Sequence, residues 1–444
     1  MSKKLLLSFG GMLALAIALV VAFGGPGRGP LSAAESDQTT FVDLKANDII
    51  YDPVSDMMYA SVPSTVPDYG NSIVAVDPHT GALGPSVFVG SEPGKMAVSD
   101  DGQYLYVSLG GAAAVRRVVV QPLTADIQFG LGSDPITGSF YVEDIEVLPG
   151  DAHAVAVSRR NAGFSPRHEG VAVYDDGVQR ATTTPDHTGS NAIEFSDSAS
   201  MLYGYNNETS EFGFRRMTVD ASGVSVDNVT NNLISNYNVD IEYDGGLVYA
   251  TSGRVIEPEV LTILGTFAAS GPVAPDSSVN RTFFLSGSTI TAFNQTTFTS
   301  AGTLQVIGVS SGSGLIRWGD RGLALRTSTQ IVIIETSLVA PKLTGTPTST
   351  PPSGPTPSPT TEPPATPTAP QPTATPAVQT GDASCDGNVN SIDASLLLQV
   401  TAALVAALPC PEGADVNEDG VANALDAALI LQFDAGLIDA LPPA

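Results

Sequence analysis

The sequence predicts a multidomain chain: an all-β, seven-bladed β-propeller, then a Pro/Thr-rich disordered linker, then a small α-helical domain. Three observations lead to this fold class. A strand–turn–strand unit recurs between residues 41 and 339, a proline- and threonine-rich segment begins at residue 344, and two similar oxygen-rich stretches follow residue 380. A chain of 444 residues is also too long for one ordinary domain, which holds roughly 100–200 residues.

The composition and the net charge of the chain argue against some classes of function. The chain has 46 Asp and Glu against 19 Lys and Arg, a formal net charge of −27. This balance argues against a nucleic-acid partner, because such partners select basic faces. Hydrophobic residues make up 42% of the chain, which is enough for buried cores. Two cysteines are too few for a disulfide-scaffold fold.

The first 34 residues have the layout of a secretory signal peptide. Lys3 and Lys4 precede an apolar run at 5–23, and small residues at 32–34 offer a cleavage site. We therefore expect a secreted protein, extracellular or attached to the cell surface, with no stable membrane span after cleavage. The apolar run is also long enough for an uncleaved membrane anchor, and that alternative stays open.

The propeller is predicted over residues 35–340. Its repeating unit is a strand, a turn rich in Asp or Gly, and a second strand, as in DIIYDPVSDMMYASVP at 48–63. The units start near residues 48, 95, 143, 192, 239, 274 and 315, at spacings of about 35–49 residues. Repeats of roughly 40–50 residues with four short strands are typical of propeller blades, so seven starts predict seven blades.

A strand near Phe41–Lys45 is expected to complete the last blade and close the ring. The segments DGQYLYVS at 101–108 and VAVDPHTG at 74–81 give this region a resemblance to YVTN/NHL-like and lactonase-like propellers. Two β-sandwiches are the alternative architecture, and the regular spacing of the units counts against them.

Arginine is concentrated in two segments of the propeller region, 158–169 and 205–216. Arginine forks suit carboxylates, so these segments predict a site for an acidic or sugar ligand at one mouth of the ring. The candidate ligand-binding residues are Arg159, Arg160, Arg167, His168, Tyr205, Arg215 and Arg216. The alternative is that the arginines form structural ion pairs with acids such as Glu169, Glu208, Glu211 and Asp175.

Evidence for catalysis is lacking in the sequence. It contains no H-E-x-x-H motif and no phosphate-binding loop. This favours a binding module over an enzyme, and the catalytic residues of any enzyme are unknown. Enzymatic activity stays open because function is grafted onto a fold, and propeller enzymes collect residues from separate blades.

Residues 341–380 are predicted to form the linker. From Thr344 to Thr380 the sequence is mostly Pro, Thr, Ser and Ala, and Glu362 is its one charged residue. Such a segment cannot bury apolar surface. We expect an extended, disordered spacer of about 3.1 Å per residue between two ordered modules.

Two twelve-residue stretches, 382–393 and 415–426, are predicted to bind calcium. They start 33 residues apart, and each has oxygen-bearing side chains at positions 1, 3, 5 and 12 with glycine at position 6. Such a loop wraps roughly six to eight oxygens around one Ca²⁺, with a backbone carbonyl from position 7 and a direct or water-mediated contact from position 9. Apolar stretches of helical length follow at 393–408 and 426–441. An acidic turn is the alternative for either loop taken alone.

The tandem loop–helix repeat, Gly381–Pro442, resembles the dockerin family, because the motif occurs twice and both loops end in Asp. The resemblance implies that the domain at 381–444 binds two Ca²⁺ ions and that its helices dock onto a cohesin-type partner. The pairs before the last Asp, which serve recognition in dockerins, are Ser391-Ile392 and Ala424-Leu425. The implied metal ligands are Asp382, Ser384, Asp386, Asn388, Asn390, Asp393, Asp415, Asn417, Asp419, Val421, Asn423 and Asp426.

Both cysteines, Cys385 and Cys410, lie in this small domain. In an exported protein they can form a disulfide across a 25-residue interval. Such a bridge would stabilise the small core by about 3–4 kcal/mol. Two free thiols are the alternative, and a zinc site is disfavoured because no histidine lies nearby.

Two functions are consistent with these modules. In the first, a secreted modular protein uses its dockerin-like domain to bind Ca²⁺ and a cohesin-type partner, and its propeller binds a polysaccharide, a small molecule or a protein. In the second, the propeller is an extracellular polysaccharide-degrading enzyme, either a hydrolase acting on glycosidic bonds or a lyase. A role in polysaccharide catabolism is expected in the second case.

Overall fold

The computed structural model describes residues 37–339 and part of the C-terminal region, namely residues 380–384, 389–401, 408, 410–417, 421–434, 438, 440 and 441. The described residues fall into two compact units, one within residues 1–347 and one within residues 348–444. The predicted signal peptide at 1–34 and the predicted linker up to residue 379 lie outside the described residues. Both assignments therefore stay predictions, as do the domain boundaries.

Short antiparallel strands make up the first unit, as the recurring turns predict. Between residues 37 and 339 a single turn of 3-10 helix at Ser277–Val279 is the only helical element. In chain order the strands are β1 (Gln38–Val42), β2 (Asp48–Asp52), β3 (Met57–Val62), β4 (Ser72–Val76), β5 (Leu83–Phe88), β6 (Pro93–Val98), β7 (Tyr104–Leu109), β8 (Ala114–Val119), β9 (Thr124–Gly130), β10 (Ser133–Asp134), β11 (Gly138–Ser139), β12 (Tyr141–Leu148), β13 (Asp151–Arg160), β14 (His168–Asp175), β15 (Val178–Gln179), β16 (Ala192–Phe195), β17 (Met201–Tyr205), β18 (Gly213–Asp220), β19 (Gly223–Asn231), β20 (Ile241–Asp244), β21 (Leu247–Ala250), β22 (Arg254–Glu257), β23 (Thr262–Thr266), β24 (Val273–Asp276), β25 (Arg281–Ser286), β26 (Thr289–Asn294), β27 (Ser300–Gln305), β28 (Gly314–Trp318), β29 (Gly322–Arg326) and β30 (Ile331–Glu335).

Seven four-stranded sheets form the blades of a propeller. Blades one to seven are β2–β5, β6–β9, β12–β15, β16–β19, β20–β23, β24–β27 and, last, β28–β30 joined by β1, while β10 and β11 form a separate hairpin. The innermost strands β2, β6, β12, β16, β20, β24 and β28 contact one another in this order, and β28 contacts β2. The ring is therefore closed, which confirms the predicted seven-bladed propeller. Each inner strand starts within two residues of a predicted repeat start.

The ring is closed by strand β1, which completes the seventh blade. β1 pairs antiparallel with β30 from Gln38 opposite Glu335 to Val42 opposite Ile331. The predicted closure near Phe41–Lys45 is confirmed, although the strand lies slightly earlier in the chain. The first and last strands of the propeller thus belong to one sheet.

Burial differs between the middle and outer strands of a blade. Every residue of β4 is buried, whereas none of β5 is. Neighbouring blades cover both faces of a middle strand. Its sequence is therefore a continuous run of apolar residues, without the alternation of apolar and polar residues found in a half-exposed strand. Apolar clusters accordingly lie between blades, as where Val42 and Trp318 pack with Val62 and Ile331.

Turns between strands are stabilised by short acidic side chains. In the turn from β4 to β5, Asp77 Oδ1 accepts a hydrogen bond from the His79 backbone N–H at 2.8 Å, and Oδ2 accepts one from the Thr80 hydroxyl at 2.7 Å. Gly81 closes the turn with φ +72°, a conformation that costs little for glycine. This geometry explains the D-P-x-T-G pattern in the sequence.

The second unit contains two helices that contact each other and share an apolar core with residues of the loop segments. These helices are α1 (Ser391–Thr401) and α2 (Ala424–Asp434), and a 3-10 turn lies at Pro411–Gly413. Both helices begin two residues before the predicted starts. Residues 402–407 and 435–437 are outside the described residues, so the predicted helix ends are untested. The core consists of Ala383, Ala394, Leu397, Ala414, Val416, Ala427 and Ile430.

Neither helix, nor any other in the described part of the chain, combines the length and apolar character needed to cross a membrane.

Candidate metal centre and propeller cavity

The last residue of the first loop, Asp393, is a buried carboxylate in the first turn of α1. Its Oδ1 accepts a hydrogen bond from the backbone N–H of Ser384, and its Oδ2 accepts one from the backbone N–H of Asn390, both at 2.9 Å. The hydroxyl of Ser384 lies 3.4 Å from Oδ1 of Asp382. Four of the predicted ligands in this loop are thus joined by hydrogen bonds.

Asp426 has the same role in the second loop. Its Oδ1 accepts a hydrogen bond from the backbone N–H of Asn417 at 3.2 Å, and its Oδ2 accepts one from the backbone N–H of Asn423 at 2.9 Å. In both loops the carboxylate at position 12 therefore ties the backbone at positions 3 and 9. The two loops, which start 33 residues apart, thus share these two hydrogen bonds. Oδ1 of Asp426 accepts a further one, from the backbone N–H of Val416 at 3.0 Å.

Position 9 is an asparagine in both loops, and it also caps the following helix. Oδ1 of Asn390 accepts the N–H of Ile392 at 2.8 Å, and Oδ1 of Asn423 accepts the N–H of Leu425 at 2.7 Å. This oxygen accepts one helix-start hydrogen bond and keeps one lone pair, so the direct and the water-mediated contact predicted at position 9 both stay open.

The buried negative charges of the two loops favour a bound cation. Asp393 and Asp426 are both 0% exposed, and the chain has no Lys, Arg or His after Lys342. A buried carboxylate without a cationic partner is costly. Both carboxylate oxygens of Asp393 and Oδ2 of Asp426 retain a lone pair beyond the hydrogen bonds above, and Ca²⁺ prefers such hard oxygen ligands. The residues present therefore fit calcium, which would neutralise the buried charge.

Several predicted residues of this unit lie outside the described residues: Asp386, Asn388, Asp419 and Cys385. Among the residues that the structure does describe, no three Asp, Glu, His or Cys side chains are grouped as a metal site. The middle aspartate of each loop belongs to the undescribed positions. Cys410 is buried, and its N–H donates to the carbonyl of Ala383 at 3.1 Å. The disulfide stays a prediction.

Apolar side chains at equivalent positions of the two repeats are exposed to solvent. Ile392 and Leu425 are each 56% exposed, and Leu398 and Leu431 are 42% and 43% exposed. Each pair is 33 residues apart, so the exposed apolar surface is duplicated like the loops. These four side chains are therefore the candidate residues for contact with a partner.

Four of the five predicted ligand-binding arginines pair with carboxylates in the described structure. The pairs are Arg160–Glu143 at 3.1 Å, Arg167–Glu143 at 2.6 Å, Arg167–Glu208 at 3.4 Å, Arg215–Glu211 at 2.8 Å and Arg216–Glu259 at 3.4 Å. The fifth, Arg159, is nearly buried and donates to the carbonyl of Gly170 and to Gln179. These contacts favour the structural ion pairs that the sequence left as the alternative.

The two other predicted ligand contacts, His168 and Tyr205, are buried. The Tyr205 hydroxyl donates to the carbonyl of Asn236 at 2.9 Å. Burial lowers the pKa of His168 to about 3, with a further contribution from nearby arginines, the largest from Arg215. Of the seven predicted residues, Arg160 lines a crevice of about 280 Å³ between blades two and three, and none lines the larger cavity. Their role in ligand binding stays a prediction.

A cavity of about 660 Å³ lies at the centre of the ring and is lined by the inner strands of all seven blades. Sequence reasoning missed it. The available signal was the dipeptide Ile-Glu, which recurs at 145–146, 193–194 and 241–242, the same place in three repeats. The isoleucines are buried between blades, while the glutamates line the cavity. Its charged lining residues are Asp48, Lys95, Asp144, Glu146, Glu194, Asp240, Glu242 and Arg326.

Two of these carboxylates join neighbouring blades. Oδ2 of Asp48 accepts the N–H of Met96 at 3.0 Å, and Oδ2 of Asp144 accepts the N–H of Ile193 at 2.9 Å. Lys95 Nζ contacts Asp144 at 2.7 Å and Asp240 at 3.4 Å. These contacts hold inner strands together, so part of the acidic lining is structural.

Residues 308–312 spell G-x-S-x-G, the pattern of a nucleophile elbow. An elbow needs a strand before the serine and a helix after it. Here the segment follows β27 and leads into β28, with no helix between them. The motif therefore does not form an elbow.

Comparisons with known proteins support both units separately. Residues 380–433 match the model of the dockerin type I domain. No curated protein matches the chain. The β-propeller domain of Cps50 (Swd1) from Myceliophteria thermophila is similar in fold, with a TM-score of 0.55, 12% identity, and coverage of 68% of this chain and 100% of that one. Hydrazine synthase from Kuenenia stuttgartiensis has a TM-score of 0.51 at 15% identity, covering 70% of this chain and 100% of that one. At these identities the likeness concerns the fold alone.

Proposed function

We propose that the dockerin type I domain at 380–433 attaches this seven-bladed propeller to a cohesin-type partner in a calcium-dependent way, and that the propeller is the ligand- or protein-binding module of a secreted protein. Dockerin type I domains bind calcium and dock onto cohesins. The observation that carries the proposal is the pair of equivalent loops, each ending in a fully buried aspartate with no cationic side chain in the domain sequence.

We infer one Ca²⁺ ion for each loop. The two position-12 carboxylates make equivalent hydrogen bonds, so a cation that suits one loop suits the other. The predicted ligand set, including Asp386, Asn388 and Asp419, belongs to this proposal. The predicted disulfide between Cys385 and Cys410 would tie the first loop to the segment before the second.

The docking surface is inferred to include the exposed apolar pair Ile392 and Leu425. Each lies immediately before the buried final aspartate of its loop, at the start of a helix. Calcium binding therefore fixes the backbone that presents these side chains. This connection explains why docking should depend on calcium.

Changing Ile392→Asp together with Leu425→Asp should weaken binding to a cohesin by at least about 30-fold, because two apolar anchors of roughly 1–2 kcal/mol each are replaced by charges. Calcium binding and the melting temperature of the domain should change little, since both side chains are exposed. Titration calorimetry of the full chain with a panel of type I cohesins measures the effect. Ile307→Asp, at a position 78% exposed on the propeller, is the matched control and should bind normally. Unchanged affinity of the double variant would exclude this surface.

The role of the propeller is supported by its central cavity, which is large enough for a small ligand. A glycan array and a hydrolase and lyase screen on the full chain separate the two functions. Binding without turnover supports the binding module. Turnover that is lost on changing a single carboxylate supports the polysaccharide-degrading enzyme instead.

A further inference from the structure

Three glutamates occupy the same position on three consecutive inner strands. Glu146 on β12, Glu194 on β16 and Glu242 on β20 each follow a buried isoleucine and line the central cavity. β12 contacts β16, and β16 contacts β20, so the three carboxyl groups lie on adjoining walls of one channel. We call this set the channel glutamates.

The surroundings of the channel glutamates are mostly acidic. Asp144 on β12 and Asp240, just before β20, face the same cavity, as does Asp48 on β2. The cations facing it are Lys95 on β6 and Arg326 on β29. Lys95 is already paired with Asp144 and Asp240. The residues that blades six and seven contribute to the cavity lining include the uncharged Pro272, Val273, Gly314 and Leu315.

None of the channel glutamates has an ion pair within 4 Å or a side-chain hydrogen bond to another residue in the described part of the chain. This separates them from Asp48 and Asp144, which accept backbone hydrogen bonds. Partly desolvated carboxylates without a cation favour the neutral form, and like charges around them add to this preference.

The direction of the pKa shifts agrees with this geometry. Burial, followed by the carboxylate of Asp240, raises the pKa of Glu242 to about 8. Burial and neighbouring carboxylates raise the pKa of Glu146 and of Glu194 well above the ordinary glutamate value. In all three cases burial is the larger cause.

We propose that the channel glutamates hold protons when the propeller is folded and release them when it unfolds, so that the ring is a pH-sensitive device that loses stability as the medium becomes alkaline. An unfolded glutamate ionises near its ordinary pKa of 4.5. Above that pH the unfolded chain binds fewer protons than the folded one, so stability falls with rising pH. For each channel glutamate, stability stops falling at the pH at which the glutamate also ionises in the folded chain. This is near pH 8 for Glu242.

One other buried group changes stability in the opposite direction. The pKa of His168 is lowered to about 3, so unfolding takes up a proton at this residue below its ordinary value of 6.5. His168 therefore makes stability rise with pH in the acid range. A test above pH 6.5 reduces this contribution, because the unfolded histidine becomes mostly neutral there.

Thermal unfolding of the calcium-saturated full chain between pH 6.5 and pH 9 tests the proposal. The melting temperature of the wild-type propeller should fall by at least about 5 °C over this range. The variant Glu146→Gln/Glu194→Gln/Glu242→Gln should lose most of this fall and melt higher than the wild type at the alkaline end. Glu257→Gln removes one exposed glutamate elsewhere in the ring and should keep the wild-type profile. A triple variant whose profile runs parallel to the wild type, or that melts lower at the alkaline end, overturns the proposal.

A second measurement needs no variant and covers the case in which the triple variant does not fold. Calorimetric unfolding of the wild type at pH 7, in buffers of different ionisation enthalpy, counts the protons exchanged. We expect a release of about one to three protons per chain, because the channel glutamates lose protons on unfolding. No release, or a net uptake, overturns the proposal.

Discussion

Removal of calcium is expected to lower the melting temperature of the dockerin domain in the full chain and to leave that of the propeller unchanged. The buried carboxylates of Asp393 and Asp426 would then lack a neutralising cation. Loops of this type bind with a Kd of about 1 μM, so about 1 mM free Ca²⁺ stabilises the folded domain by about 4 kcal/mol for each ion. Differential scanning calorimetry in calcium and in a chelator should show one transition that moves and one that does not.

The double change Asp393→Ala and Asp426→Ala should abolish this calcium-dependent shift. It removes a predicted ligand from each loop and the two hydrogen bonds that tie positions 3 and 9. Asp434→Ala is the matched control, because it removes an exposed acid of α2 that accepts the N–H of Ser391 at 3.0 Å but lies outside both loops. This control should keep the shift. A wild-type chain with no response to calcium would contradict the calcium sites themselves.

The blades and the calcium loops were predictable because their signals are local. A blade is a run of about 45 residues whose turns carry Asp and Gly, and a calcium loop fits within twelve residues. Asp77 illustrates this, since its side-chain contacts in the turn are within three residues and its backbone hydrogen bonds there within five. The fully buried middle strands, such as β4, depart from simple alternation because neighbouring blades cover both of their faces.

The central cavity was not predicted, because its lining converges only when the ring closes. Glu146 and Glu242 are far apart in the chain, and their equivalence is visible only once the repeats are aligned by inner strand. The ion-pair partners of the arginine segments were only partly predictable for a related reason. Some of their partners are remote in sequence, as in the Arg167–Glu143 and Arg216–Glu259 pairs. A dense run of arginine is therefore compatible with a ligand site or with ion pairs, and the ligand-binding role of these residues stays a prediction.

A charge in the closing strand should open the propeller. Val42 is 4% exposed and belongs to the cluster that joins blade seven to blade one, together with Trp318 and Ile331. Val42→Asp removes an apolar side chain from that cluster and buries a carboxylate with no cation in the cluster. The expected loss in the free energy of unfolding is about 4 kcal/mol, the sum of the lost burial and the cost of the buried charge.

Phe41→Asp is the control that separates ring closure from a general effect of charge in β1. Phe41 is adjacent to Val42, faces the other side of the strand and is 45% exposed, so its replacement should cost roughly 1 kcal/mol.

Trp318 is the single tryptophan of the chain and packs in the same cluster as Val42. Its fluorescence in a urea titration therefore reports the closing blade directly. Because β1 holds the two ends of the ring in one sheet, Val42→Asp should shift the midpoint strongly and Phe41→Asp only slightly. Equal shifts for the two variants would mean that the apolar seam at Val42 does not hold the ring closed.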